Sequence, residues 1–401
     1  MHQDLEPHAA QLIGRPECFD RERLRAAGHA LDPQLVEKAV HALEYVGQLA
    51  RVNPEMIFTG GTATQILLAS RGDDDAIRLS KDVDLLSPSG DAAEWRRATG
   101  EVADHFAGQI YVPSEDARTH GGLTIPAIHF LVRYPTLFPS DTRPDIELDV
   151  VFGGSSVPTQ NTPLTTRLFE PKEAVSVSTP TIESMLGGKL TTLGPGTIGI
   201  PREKANFDVA TGKQLYDIDH LLRYVENVET VAQVYRATYE QQIAYHPDND
   251  RPSLTTVLED GLYVLKVLSA QPGTKANDGH WTSDLEILGQ VAEKLRGYVG
   301  SRSGFDRRGV AAAAARAALA LTAIRNILIA GEPASEISLQ WQETRRRLAE
   351  AQRDAAAIGE AKKRLREVPW EKRPHINLKT FDQLAGGEAL LCWDAVFGQW
   401  H

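Results

Sequence analysis

In the run Lys81-Asp82-Val83-Asp84-Leu85-Leu86-Ser87, two carboxylates stand one residue apart inside an otherwise apolar stretch. Aspartate is a poor strand residue, and burying its charge is costly unless a cation or hydrogen bonds meet it. The alternation is nevertheless that of a strand. Side chains on a strand point to opposite faces in turn, so Asp82 and Asp84 share one face, roughly 7 Å apart, while Val83 and Leu85 point to the core. The stretch Asp145-Ile146-Glu147-Leu148-Asp149-Val150-Val151-Phe152 repeats the pattern, with Asp145, Glu147 and Asp149 on one face. If the two strands are neighbours, a third carboxylate joins the first two. Such a set repels itself unless divalent cations sit within it. Mg²⁺ suits the chemistry, because it takes carboxylate oxygens and shares its other positions with water and phosphate. Two such ions roughly 4 Å apart can clamp the attacking and leaving oxygens of a displacement at phosphorus.

About twenty residues earlier the chain reads Glu55-Met56-Ile57-Phe58-Thr59-Gly60-Gly61-Thr62-Ala63, a short strand ending in a glycine turn. Thr62 is expected to cap a helix running to about Ser70. Gly60 and Gly61 let the backbone approach a phosphate, and the helix N-terminus aims unpaired N–H groups and its positive dipole end at the same place. A phosphate-binding turn beside a carboxylate pair implies nucleotide plus metal. The acidic loop Asp73 to Asp75 reads as a solvated tip. Arg78 suits phosphate binding and pairing with that loop equally well.

The 401 residues are enough for two domains. With only Cys18 and Cys392, at opposite ends of the chain, neither a disulfide framework nor a thiolate zinc site is expected, and a cytoplasmic location is the simplest reading. The formal net charge of −11 supplies no overall attraction for a polyanion, so any nucleic-acid contact must come from local patches. Two stretches, 295–309 and 362–379, concentrate Lys and Arg around Tyr298, Phe305, Trp370 and His375. They suit backbone gripping and base stacking, although solvated helix ends are the default. The most apolar segment, 309–331, is mostly alanine and carries Arg316 and Arg325, so a core helix is expected and no membrane contact.

Strands and helices mix up to about Gly154, with a helix expected near 92–107 and strands at 127–134 and 145–154. Residues 155–164 read as a turn-rich connection and 175–180 as a short strand. From about 180 onward the long segments are helical: 208–245, 253–270, 282–298, 309–331 and 335–366. An α+β chain follows, with an α/β domain over 1–178 and a mainly helical domain over 179–401.

Gly60-Gly61-Thr62-Ala63 followed by Arg78-Leu79-Ser80-Lys81-Asp82-Val83-Asp84-Leu85 resembles the signature of the AbiEii/AbiGii-type nucleotidyltransferase toxins, within the DNA polymerase β-like superfamily. A second block, Thr179-Pro180-Thr181-Ile182-Glu183-Ser184-Met185-Leu186-Gly187-Gly188-Lys189-Leu190, is similar to the family's lysine-bearing helix, and residues 212–222 to its following segment. The Gly188-Lys189 pair is not a P-loop, because position 183 is Glu and Lys189 is followed by Leu.

The resemblance, which covers about residues 55–225, implies a polymerase β-like nucleotidyltransferase domain with a small mixed sheet, metal dependence and transfer of a nucleoside monophosphate from an NTP. Asp82 and Asp84 would bind two Mg²⁺, with Mn²⁺ as the alternative ion. The third ligand would be Asp149, with Glu147 second. Gly60, Gly61, Thr62, Arg78, Ser80 and Lys189 would bind the nucleotide, Lys189 at the triphosphate, and Ser80 would lie beside the metals, where relatives are controlled by modification. Asp217, with Asp219 as the weaker choice, would be the carboxylate of the helical domain. Gln214 stands where relatives commonly carry an acid. The implied acceptor is RNA, a tRNA 3′ end, and the implied partner a cognate antitoxin protein. Transfer to a small molecule or a protein hydroxyl, or a silent nucleotide-binding module, are the competing expectations. His105, His120 and His129 show no ligand spacing and read as structural or exposed.

Overall fold

The computed structural model describes residues 4–27, 31–73, 78–80, 82–118, 123–138, 145–153, 157–270, 279–299, 305–351, 354–368 and 386–398. The chain divides into two compact units, Met1–Thr181 with Arg296–Ser303, and Ile182–Leu295 with Gly304–His401.

The first unit is built on strands β1 (Ile57–Thr59), β2 (Asp82–Ser87), β3 (Val112–Glu115), β4 (Ala127–Arg133), β5 (Ile146–Phe152), β6 (Thr159–Pro163) and β7 (Ser176–Pro180). They form one mixed sheet in the order β3-β4-β5-β2-β1-β7-β6. Central β2 runs antiparallel to β1 and parallel to β5. Phe58, Val83, Leu85, Leu148 and Val150 are buried, as the apolar half of each alternating run requires. Helices α1 (Arg21–Ala27), α2 (Pro33–Val52), α3 (Gly60–Ala69) and α4 (Ala92–His105) complete the unit. In α2, Asp32 caps the first turn by accepting the Gln34 N–H at 2.9 Å, and the helix packs on β2, β5 and α4.

Two local expectations are corrected, and one strand goes beyond them. The connection over 155–164 contains β6, an edge strand whose Thr162 hydroxyl meets that of Thr179 at 2.6 Å. Its polar, proline-ended sequence lacks the apolar alternation of a central strand, as edges permit. The opposite edge, Val112-Pro113-Ser114-Glu115, hid β3 for the same reason. Thr62 is not a cap: α3 already begins at Gly60, and the Thr62 hydroxyl donates to the Asp82 carbonyl at 2.9 Å, stitching α3 to β2.

The second unit is helical: α5 (Ile182–Thr191), α6 (Phe207–Leu222), α7 (Val228–Ile243), α8 (Leu254–Ser269), α9 (Gly279–Leu288), α10 (Val291–Lys294), α11 (Arg307–Arg325), α12 (Ala334–Ala351), α13 (Ala355–Glu367) and α14 (Gly386–Gly398). The single helix expected over 208–245 is interrupted after Leu222, and Asn227 caps α7 by accepting the Thr230 N–H at 3.1 Å. Alanine-rich α11 packs on α6, α8 and α14, and its small side chains let these neighbours come close. Its helical run to Ala330 is long and apolar enough to cross a membrane, yet 72% of the most apolar window is buried in protein. That is the burial of a core helix.

Candidate active site

The β2/β5 ladder sets Asp82 opposite Glu147 and Asp84 opposite Asp149, while β1 sets Thr59 opposite Asp84. Helix α3 leaves β1 at Gly60, whose φ of +73° belongs to the left-handed region. The Asp84 carboxylate packs directly against the Gly60 α-carbon, so closely that any β-carbon there would collide with it. Gly61 is lined in the same way by the Arg78 guanidinium and the Ser80 hydroxyl. The glycine pair therefore does double duty: it opens a helix N-terminus, and it admits Asp84, Arg78 and Ser80 to that opening. Arg78 and Ser80 are only 3% and 7% exposed. Their segment is pinned by the Gln65 side-chain amide on the Arg78 carbonyl. It is also held by the Leu79 N–H on the Tyr298 carbonyl at 2.8 Å, beside an Arg78–Val299 bridge.

The third carboxylate has other company. Asp149 accepts from His129 Nδ1 at 2.8 Å and from Arg118 Nη1 at 3.1 Å. Arg118 also reaches Glu147 through Nη2 at 3.1 Å and Asp116 through Nε at 2.7 Å. Partial burial alone would weaken the Arg118 charge, but the three carboxylates outweigh it and hold the guanidinium above its ordinary pKa.

In the helical unit Lys189, on α5, donates to Asp217 Oδ2 at 2.7 Å and to Gln214 Oε1 at 3.1 Å, both on α6. The lysine and aspartate side chains are 7% and 3% exposed, so each is the other's counter-ion in a setting where a lone charge would be untenable. Asp219 is held instead by Arg316, whose Nε lies at 2.6 Å.

The sequence profile of the nucleotidyl transferase AbiEii toxins of type IV toxin–antitoxin systems matches residues 45–282. The chain belongs to the AbiEii family. It is thus a nucleotidyltransferase of the toxin class, with an α+β fold. Among solved structures, MenT4, a nucleotidyltransferase toxin from Mycobacterium tuberculosis H37Rv, aligns with 73% of this chain and 98% of its own at 15% identity and a TM-score of 0.39. That likeness is too loose to transfer residues. Comparison with curated proteins gives no match.

For this AbiEii chain the structure brings Gly60, Gly61, Arg78, Ser80 and Asp84 together and places Asp82 and Asp149 at neighbouring ladder positions. It does not gather the acids into a cage: among the described residues no three His, Cys, Asp or Glu side chains converge closely enough to enclose an ion. The donor set still fits Mg²⁺, which commonly takes one or two carboxylates and completes its shell with water and substrate phosphate. Asp149, the expected third ligand, is already paired with Arg118 and His129, which leaves Asp82 and Asp84 as the carboxylates for that fit. The lysine after Ser80, the Asp74–Asp75 tip, His120 and most of the basic stretch over 362–379 lie outside the described residues. In the other basic stretch Phe305 is buried edge-on against Tyr216, which removes it as a stacking platform.

Two residues that the sequence did not place beside the acids lie against them. His129, read as structural or exposed, is paired with Asp149 by the β4/β5 ladder. Its place on the same strand face as the acids was a signal that alternation could have supplied. Arg118 lies beyond the end of β3, and nothing in its local pattern pointed to β5.

Proposed function

We propose that this AbiEii chain transfers a nucleoside monophosphate from an NTP to an RNA acceptor, a tRNA 3′ end, and so stops translation in the cytoplasm unless an antitoxin restrains it. The observation that carries the reading is the contact of Asp84 with Gly60, which sets a carboxylate at the first turn of a helix whose N–H groups can take phosphate. In this reading Asp82, Asp84 and Asp149 hold divalent ions, Mg²⁺ or Mn²⁺. When bound, these neutralise triphosphate charge and stabilise the departing pyrophosphate. The chain's own groups do the positioning. The Gly60–Gly61 turn and the α3 N–H groups hold phosphate oxygens, with the Arg78 guanidinium alongside. Thr62 locks the turn to β2, and Ser80 fills the space beside Gly61. Within the helical unit Lys189 is the cation assigned to the triphosphate, and Asp217, with Gln214, fixes its ammonium. Catalysis is then mainly alignment of the acceptor hydroxyl with the α-phosphorus.

The test is incubation of the pure protein with each labelled NTP and total tRNA. Labelled RNA is expected with the wild type, and a loss of about 10³-fold in Asp84→Asn. Label appearing only in small molecules or protein would favour the competing acceptors, for which the net charge of −11 speaks. No label anywhere, together with harmless induction of the wild-type gene, would leave a silent nucleotide-binding module.

A further inference from the structure

Two acidic rows lie side by side on β2 and β5, and an arginine from outside the ladder spans one of them. We infer that Arg118 is a built-in counter-ion of the metal site, which neutralises Asp149 while no divalent ion is bound and gives it up when one arrives. The inference rests on the reading of Asp82, Asp84 and Asp149 as ion-holding carboxylates.

Four carboxylates in two adjacent register pairs repel one another in the absence of cations, and a guanidinium supplies charge together with a planar fork of donors. A guanidinium and a divalent ion cannot share one carboxylate without strong repulsion, so binding of the ion and the Arg118–Asp149 contact oppose each other. The geometry makes release easy. Arg118 has its closest contact at Asp116, 2.7 Å from Nε, and a further one at Glu147, so letting go of Asp149 leaves it anchored. On Asp149, His129 at 2.8 Å and Arg118 at 3.1 Å both meet Oδ1, whereas Oδ2 has only the longer 3.4 Å contact with Arg118. Oδ2 is therefore the oxygen to hand over, with His129 keeping the carboxylate oriented. The Arg118 side chain is 28% exposed, which leaves it room to shift toward solvent.

Mn²⁺ alone, without nucleotide, is the probe. The full chain is titrated with Mn²⁺ by electron paramagnetic resonance, and its thermal unfolding is recorded with and without the ion. Arg118→Gln should bind Mn²⁺ about tenfold more tightly than wild type. It should also lose more thermal stability without Mn²⁺ than with it. Arg118→Lys, which keeps the charge but not the fork, serves if the glutamine variant does not fold. It should keep an affinity close to that of wild type, and about tenfold tighter binding in it, as large as the loss of the charge is expected to give, overturns the inference. Unchanged or weaker affinity in Arg118→Gln, with Asp84→Asn still abolishing binding, sinks the counter-ion role and leaves the metal reading standing. Equal binding, or none, in wild type, Asp84→Asn and Arg118→Gln sinks both.

Discussion

Gly60 and Asp84 show how one missing side chain can make a site. The positive φ and the packed carboxylate both exclude a β-carbon at Gly60, whereas at Gly61 the obstruction is the movable end of Arg78 and the Ser80 hydroxyl. Gly60→Ala should therefore cut nucleotidyl transfer by about 10²-fold through misplacement of Asp84, and Gly61→Ala by distinctly less, in a side-by-side labelling assay with circular dichroism confirming the fold. Glu44, a buried acid on α2, has a structural task. Glu44 accepts the Ile13 and Gly14 N–H groups at 2.9 and 2.7 Å and the Gln48 amide at 2.7 Å, tying the N-terminal segment to α2. Burial raises its carboxyl above the ordinary carboxylate range, although those donors pull the other way. The folded state thus takes up a proton more readily than the unfolded one. The resulting stability is complete below the unfolded value and is lost as pH rises through the higher folded value. Glu44→Gln, which cannot ionise, should flatten that decline when urea unfolding is compared across acidic to neutral pH.

At the scale of elements, α6 buries three aspartates within the second unit. Asp208, Asp217 and Asp219 are each under 5% exposed, and each is answered from a different element: Lys294 of α10, Lys189 of α5 and Arg316 of α11. The helix was legible from its periodicity, and Asp217 and Asp219 both stood out as candidates. Their separation into a lysine-paired and an arginine-paired acid was not legible, because it depends on which neighbouring helix faces which turn of α6. Removing one partner strands a charge. Lys189→Met should destabilise the chain by about 3–5 kcal/mol, and the double variant Lys189→Met/Asp217→Leu should recover much of that in urea unfolding. Neither should regain transfer activity if Lys189 serves the triphosphate. Asp219→Asn, by contrast, should lower stability while each folded molecule keeps its labelling rate.

Across the whole molecule, the chain order of the two units is not simple, since Arg296–Ser303 belongs with the sheet although it follows much of the helical unit. Tyr298 and Val299 pair with Leu79 and Arg78, just ahead of the Asp82–Asp84 strand. A fragment ending at Thr181 should therefore exchange the Leu79 amide far faster than the full chain in hydrogen-exchange measurements, even if its sheet forms. Residue order by itself determined the parts governed by local physics. Strand alternation put Asp82 and Asp84 on one face, a glycine pair marked a helix start beside them, and 3.6-residue periodicity announced the helices that follow. Edge strands β3 and β6 escaped because an edge needs no apolar stripe. Tertiary structure alone decided which cation meets which acid. Arg118 with Asp149, Lys189 with Asp217 and Arg316 with Asp219 are pairs set by strand register, helix facing and side-chain reach, and none of these leaves a trace in the spacing of nearby residues.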